Sequence, residues 1–290
     1  MKRSLLALIL FAAPVLAAGS AIHVNIRGRD VAVWKPAGAA PEAGFPLIVF
    51  SHGFAGCNTQ SVFLMAALAR AGYLVVAPNH ADARCGTARG IRQGTWRPEE
   101  PFQKAQGWSE ATYQDRRADI EAVLDAVLRE KTFEGVPVDP ARIGIAGHSL
   151  GGYTALGLAG AWPSWKDPRI KAVLALSPFN TPFLAKGDLA HLNVPVMYQG
   201  GTLDFGITPT VRKENGAYQR SSRPKYYVEF RGAGHFAWTD LNQKFQPIID
   251  RYSVAFFDQY LKRDTAPDRL ASLFGSAPPP GVSFAKSDVR

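Results

Sequence analysis

The sequence predicts an α/β fold: a doubly wound, mostly parallel sheet opened by an antiparallel hairpin. Three observations predict it. Short runs that are apolar almost throughout recur along the chain at residues 45–50, 73–78, 170–176 and 194–200, as strands buried on both faces require. Amphipathic helical stretches, such as residues 60–71 and 113–131, separate several of these runs, and a strand–helix–strand order means parallel pairing. The 290 residues are 47% hydrophobic and 20% charged, which is ordinary globular composition and fits one large domain.

Taken in order, Lys2 and Arg3 precede an apolar stretch over residues 5–16 and the small-residue site Val15-Leu16-Ala17-Ala18. This reads as a secretory signal peptide over residues 1–18, too short for a spanning helix with normal flanks. Secretion or a periplasmic location follows as an expectation. Losing Lys2 and Arg3 lowers the formal net charge from +9 to +7, and no run of five basic residues occurs, so nucleic acid is not an expected partner. Alternation of Ile22, Val24 and Ile26, then of Val31 and Val33, gives the opening hairpin around Arg27-Gly28-Arg29-Asp30. Strand 45–50 ends in Ser51-His52-Gly53-Phe54. Helix 60–71 stops at Gly72, and strand 73–78 follows.

Residues 79–112 form a long irregular stretch with Trp96, Trp108 and several arginines, and loops of that length usually carry function. Helix 113–131 puts Ile120, Val123, Leu124, Val127 and Leu128 on one face. Strand 143–146, strands 170–176, 194–200 and 225–230, and a closing helix 248–261 complete the domain, assigned to residues 19–263. Residues 264–290 hold Pro278-Pro279-Pro280 and no strong pattern, and read as a surface tail.

The chemistry centres on Gly147-His148-Ser149-Leu150-Gly151-Gly152, between strand 143–146 and a small-residue helical stretch. This is the G-x-S-x-G strand–turn–helix context of a nucleophile elbow. The turn lifts the Ser149 hydroxyl clear of the sheet and aims the Leu150 N–H at the same point, where a developing oxyanion could be held. An activated serine needs a base and an orienting acid. Asp204 and His235 each lie just past the C-terminal end of a strand, in the order Ser, Asp, His that such sheets use. Asp188 precedes its strand and Asp240 follows His235, so both are weaker acids for the role. His23, His52, His80, His148 and His191 all precede Asp204. The Phe54 N–H, after the first buried parallel strand, is the candidate second oxyanion donor, and His52 is expected to brace that loop. Trp96, Trp108, Phe179, Phe183, Phe236 and Trp238 are candidates to line an apolar acyl or aryl pocket, with core packing as the other reading of each. No cofactor is needed, and no cysteine or histidine spacing suggests a metal.

His52-Gly53, the Gly147-to-Gly152 elbow, Asp204 and Gly234-His235 together resemble the α/β-hydrolase superfamily over about residues 21–263. Val49-Phe50-Ser51-His52-Gly53, Asn79-His80-Ala81-Asp82 and Arg116-Arg117-Ala118-Asp119-Ile120 make the chain similar to dienelactone-hydrolase-like and platelet-activating-factor-acetylhydrolase-like esterases and to cutinase-like polyester hydrolases. The resemblance implies a serine carboxylic-ester hydrolase acting on small or medium esters, with a polymer or lipid surface as a further partner and a monomer as the expected state. It departs from true dienelactone hydrolases, which carry cysteine where this chain has Ser149. A serine peptidase or amidase on the same fold is the alternative activity, and a non-catalytic binding protein is the alternative class. Residues 178–193 are too few for the large helical cap of many relatives, so an open site is expected, walled by residues 79–112. The resemblance also implies that the strands preceding Cys57 and Cys85 are neighbours. A bridge between these two cysteines and a pair of free thiols both stay open.

Overall fold

The computed structural model describes residues 20–84, 98–262, 268–275 and 277–289. The expected leader at 1–18, Trp96 and Cys85 lie outside the described residues. Strands β1 (Ile22–Ile26) and β2 (Arg29–Trp34) form the antiparallel hairpin. They are followed by β3 (Phe45–Ser51), helix α1 (Val62–Arg70) and β4 (Leu74–Pro78). Next come α2 (Gln114–Val127), the short β5 (Thr132–Phe133) and the long β6 (Val136–His148). The second half contains α3 (Leu150–Leu156), β7 (Ile170–Leu176), α4 (Thr181–Ala185), β8 (Val196–Gly201), α5 (Thr208–Arg212), α6 (Ala217–Arg220), β9 (Lys225–Phe230) and α7 (Gln246–Leu261). Helix α8 (Asp268–Leu273) and β10 (Val282–Asp288) close the chain.

The strands lie in the order β1-β2-β4-β3-β6-β7-β8-β9-β10, with β5 paired to β6 alone. Pairing is parallel from β4 through β9 and antiparallel at both ends. From β3 the chain winds first outward to β4 and then back past β3 to β6. The order therefore reverses between β3 and β6, and a crevice opens at their carboxyl ends. Register puts Ser51 beside Gly147 there.

Period-2 alternation within the buried strands builds two cores. Leu47 and Val49 face Ile120, Val123 and Leu124 of α2 and Tyr153 of α3. Ile48 and Phe50 face Leu64 and Leu68 of α1 and Phe256 and Phe257 of α7. This is why residues 45–50 read as one unbroken apolar run: neither face of β3 meets water.

Two expectations need correcting. Helix α2 ends at Val127 rather than near residue 131, because the chain turns through left-handed Glu134 and Gly135 into the β5–β6 hairpin. The described part of the tail also carries regular structure that its lack of sequence pattern did not predict. Leu270 and Leu273 of α8 are buried in the α7-side core, and β10 adds an antiparallel strand to the β9 edge. Six helical residues and a strand reading Val-Ser-Phe-Ala-Lys-Ser-Asp carry little local pattern. The partner is an open row of backbone groups on β9, which side-chain periodicity does not report.

Candidate active site

The elbow places Ser149 between the end of β6 and the start of α3, at φ 56° and ψ −117°. That conformation costs a non-glycine residue free energy and persists only where its surroundings enforce it. Here the Ser149 N–H donates to the Leu176 carbonyl at 3.0 Å, and the Ser149 carbonyl accepts from Phe179 at 2.9 Å and Tyr153 at 3.2 Å. The flanking glycines are required by proximity. A Cβ on Gly147 would lie 2.1 Å from the Gly151 oxygen, and one on Gly151 would lie 1.9 Å from the Ser51 oxygen.

The structure brings Ser149, Asp204 and His235 together. His235 Nε2 lies 2.9 Å from Ser149 Oγ, and His235 Nδ1 lies 3.3 Å from Asp204 Oδ1. Asp204 follows β8, buried, and accepts at Oδ2 from the Ser177 hydroxyl in a short hydrogen bond. Ser177 Oγ also lies 3.0 Å from His235 Nδ1. With the serine proton committed to Asp204, the Nδ1–H of His235 is shared between Asp204 and Ser177. Nε2 is then left as the acceptor facing Ser149. Burial pushes the Asp204 carboxyl up, but hydrogen bonds from His235 and Ser177 outweigh it and hold the group below its ordinary value.

Sequence reasoning missed Ser177. It follows β7 in Leu176-Ser177-Pro178, and its position at a strand's carboxyl end was the available signal. A second missed feature is His148, buried between His235 and Trp238. Its Nε2–H donates to the His235 carbonyl at 2.8 Å, and its Nδ1 accepts from Gln60 Nε2 at 3.1 Å. Burial, then the nearby His235, push its imidazole down to about 3, so it stays neutral.

A cleft of about 1050 Å³ opens over Ser149 and is lined by Phe54, Phe102, Phe179, Ile207 and Phe236 among others. Residues Arg84, Phe102 and Gln103 of the long 79–112 stretch contribute to its wall. Leu203, Phe205, Phe236 and Leu241 also line it, and all four are more than half exposed. They are four of the seven large apolar side chains exposed among the described residues, so exposed apolar surface concentrates at this mouth.

Three of the pocket aromatics belong elsewhere. Trp108 is 1% exposed, wedged among Phe102, Tyr113, Tyr153 and Phe179, so it supports the wall from behind. Trp238 is fully buried, with its Nε1–H donating to Gln199 at 3.0 Å beneath His148. Phe183 is likewise core, stacked on Tyr153. In each case the ring packs against interior aromatic side chains and does not line the cleft. Cys57 lines the cleft and is disulfide-bonded. Among the described residues no group of three or more His, Cys, Asp or Glu is placed to hold a metal, and no helix is long and apolar enough to cross a membrane.

A sheet wound in this order, with a strained serine at the β6–α3 elbow and an acid and a histidine after β8 and β9, defines an α/β-hydrolase fold. The chain belongs to the PET hydrolase-like family, whose match covers residues 110–286. Residues 24–108 match the family of platelet-activating factor acetylhydrolase, isoform II. Among individual relatives, the chain is 32% identical over 130 residues to Cutinase 1 of Thermobifida cellulosilytica, covering 44% of each chain. It is 29% identical over 153 residues to Cutinase 2 of the same organism, covering 52% of this chain and 53% of that one. Lipase 1 of Moraxella sp. is 26% identical over 156 residues, covering 53% of this chain and 44% of that one. The chain thus spans about half the length of the curated relatives it matches.

Proposed function

We propose that the protein is a serine carboxylic-ester hydrolase with Ser149 as nucleophile, His235 as general base and acid, and Asp204 as the residue that orients His235. The reading rests on one observation: a serine hydroxyl in a strained elbow, 2.9 Å from a histidine whose other nitrogen faces a buried carboxylate, at the floor of an open apolar cleft. His235 Nε2 takes the Ser149 proton as Oγ attacks the ester carbonyl carbon. The Phe54 and Leu150 N–H groups receive the oxyanion of the tetrahedral intermediate. Leu150 is the first residue of α3, where no intrahelical acceptor competes for its N–H. The ester C–O bond breaks, and the alcohol leaves with the proton from His235. Water then gives a proton to the same nitrogen and attacks the acyl carbon, and Ser149 leaves reprotonated with release of the acid.

The exposed rim of Leu203, Phe205, Phe236 and Leu241 favours substrates that present an extended apolar surface, such as a polyester chain or a lipid layer, over small soluble esters. The Lys2-Arg3 and apolar N-terminal pattern, together with a disulfide at Cys57, supports action outside the cytoplasm. The test is hydrolysis of p-nitrophenyl acetate, butyrate and longer esters by the wild type and by Ser149→Ala. Turnover in the variant is expected to fall by roughly 10⁶, as when the nucleophile or the base of a cooperating triad is removed. An unchanged rate would overturn the assignment.

A further inference from the structure

Beside the triad the chain buries a second polar cluster, to which the triad mechanism assigns no step. Arg116 of α2 is fully buried, and its Nη2 donates to both carboxylate oxygens of Asp82, at 2.8 and 2.7 Å. Arg116 Nε has no hydrogen-bond partner among the described residues. A buried ion pair of this kind is often less stable than well-packed apolar residues would be, so its presence calls for a role other than stability.

Its contacts converge on one loop. Arg116 Nη1 donates to the His52 carbonyl at 2.8 Å, and Nη2 lies 3.3 Å from the Gly53 carbonyl. The same Gly53 oxygen accepts from His52 Nδ1 at 2.7 Å and from the Gly56 N–H at 3.0 Å. Asp82 Oδ2 accepts the Ala55 N–H at 3.1 Å. On the other side, the Gly53 N–H donates to Gln60 Oε1 at 3.0 Å, and Gln60 is tied through His148 to the His235 carbonyl. In a trans peptide the N–H points opposite to the C=O. Holding the Gly53 oxygen inward therefore turns the Phe54 N–H outward, toward the cleft. The loop abuts the elbow there: a Cβ on Gly53 would lie 3.4 Å from Ser149 Cβ.

We infer that Arg116 and Asp82 are positioning residues for the oxyanion donor, fixing the Gly53–Phe54 peptide plane so that the Phe54 N–H faces the carbonyl attacked by Ser149. This rests on the proposed serine-esterase mechanism. His52 takes part as a neutral relay. Burial, reinforced by the Arg116 charge, holds its imidazole well below the ordinary value. His52 can then donate from Nδ1 to the Gly53 carbonyl while its Nε2 accepts the His80 backbone N–H at 3.0 Å.

The test uses Asp82→Asn, which keeps an acceptor for Ala55 but discharges the pair, and Arg116→Lys, which keeps the charge but replaces a planar fork with a single point donor. Active serines are counted by titration with diethyl p-nitrophenyl phosphate. The kcat per titrated serine and KM for p-nitrophenyl butyrate are then measured, with the inhibition constant of butaneboronic acid, whose tetrahedral adduct occupies the oxyanion site. The expected result is a kcat lower by about 10- to 10²-fold, short of the roughly 10²–10³ for a donor lost outright. KM should change less than threefold, and the boronate should weaken by the same factor as kcat. A merely structural role would lower the titrated fraction and leave the constants per active serine unchanged. That outcome, or a variant with no titratable serine, overturns the inference. If Ser149→Ala is inactive while both variants keep wild-type constants, only this inference falls. If Ser149→Ala stays active, the esterase mechanism itself falls.

Discussion

Gly151→Ala probes how tightly the elbow is built. The added methyl would sit 1.9 Å from the Ser51 carbonyl oxygen and 2.5 Å from its carbon. A carbon–oxygen contact needs about 3.3 Å, so the two segments must separate by about 1.4 Å. β3 cannot yield, because Ser51 is held in register beside Gly147 in the middle of the sheet. The start of α3 must move instead, carrying Leu150 and Ser149 with it. Overpacking of this kind costs about 1–3 kcal/mol of stability. A misplacement of about 1 Å at reacting groups costs on the order of 10²-fold in rate. The expectation is a folded protein with a lowered Tm and a kcat/KM for p-nitrophenyl butyrate reduced by at least about 10²-fold. Gly135→Ala is the control. Gly135 has φ +77° with nothing within 4 Å, in the β5–β6 hairpin, so a side chain there costs roughly 1–2 kcal/mol of backbone strain and leaves turnover intact. A Gly151→Ala enzyme within threefold of wild-type kcat/KM would refute the packing argument.

Three further outcomes follow from the same geometry. Ser177→Ala removes one donor from Asp204 and one partner from His235, so kcat should fall by about tenfold with KM unchanged, as steady-state kinetics on a soluble ester would register. His148 is neutral in the fold down to about pH 3, whereas the unfolded chain protonates it near 6.5, so stability is full above 6.5 and drains as pH falls below it. Between pH 7.5 and 5 the wild type should lose about 2 kcal/mol more than His148→Asn in guanidinium unfolding, and a constant difference between the two would contradict the assignment. Phe205→Ser combined with Leu241→Ser removes apolar rim, so turnover of a polyester film or lipid emulsion should fall about tenfold further than turnover of p-nitrophenyl acetate; equal losses on both would separate the rim from surface engagement.

What was legible in the sequence follows a physical pattern. β3, β4 and β6 through β9 carry their burial in their composition, so their existence and parallel order could be read directly. Ser149, Asp204 and His235 stood out because each ends a strand, and the fold then gathers strand ends at one edge. Ser177 sits at the same edge, but one serine before a proline carries no signal of the left-handed turn at φ 42° that aims it at Asp204. Trp108 and Trp238 resembled Phe179 and Phe236 in composition and neighbourhood. Only tertiary packing sends the tryptophans into the core and leaves Phe236 in the open. In the sequence Arg116 stands out only within the stretch Arg116-Arg117-Ala118-Asp119-Ile120, which assigns its side chain no role. That it turns inward to grip the loop after β3 depends on Asp82, 34 residues away in sequence.

The most direct test of the account is the site of covalent modification by diethyl p-nitrophenyl phosphate. One equivalent of p-nitrophenolate should be released per active enzyme and one diethylphosphoryl group added, located on Ser149 by peptide mass spectrometry, with Ser149→Ala both unlabelled and inactive. Labelling at another residue, or an unlabelled wild-type enzyme that still hydrolyses p-nitrophenyl butyrate, would contradict it.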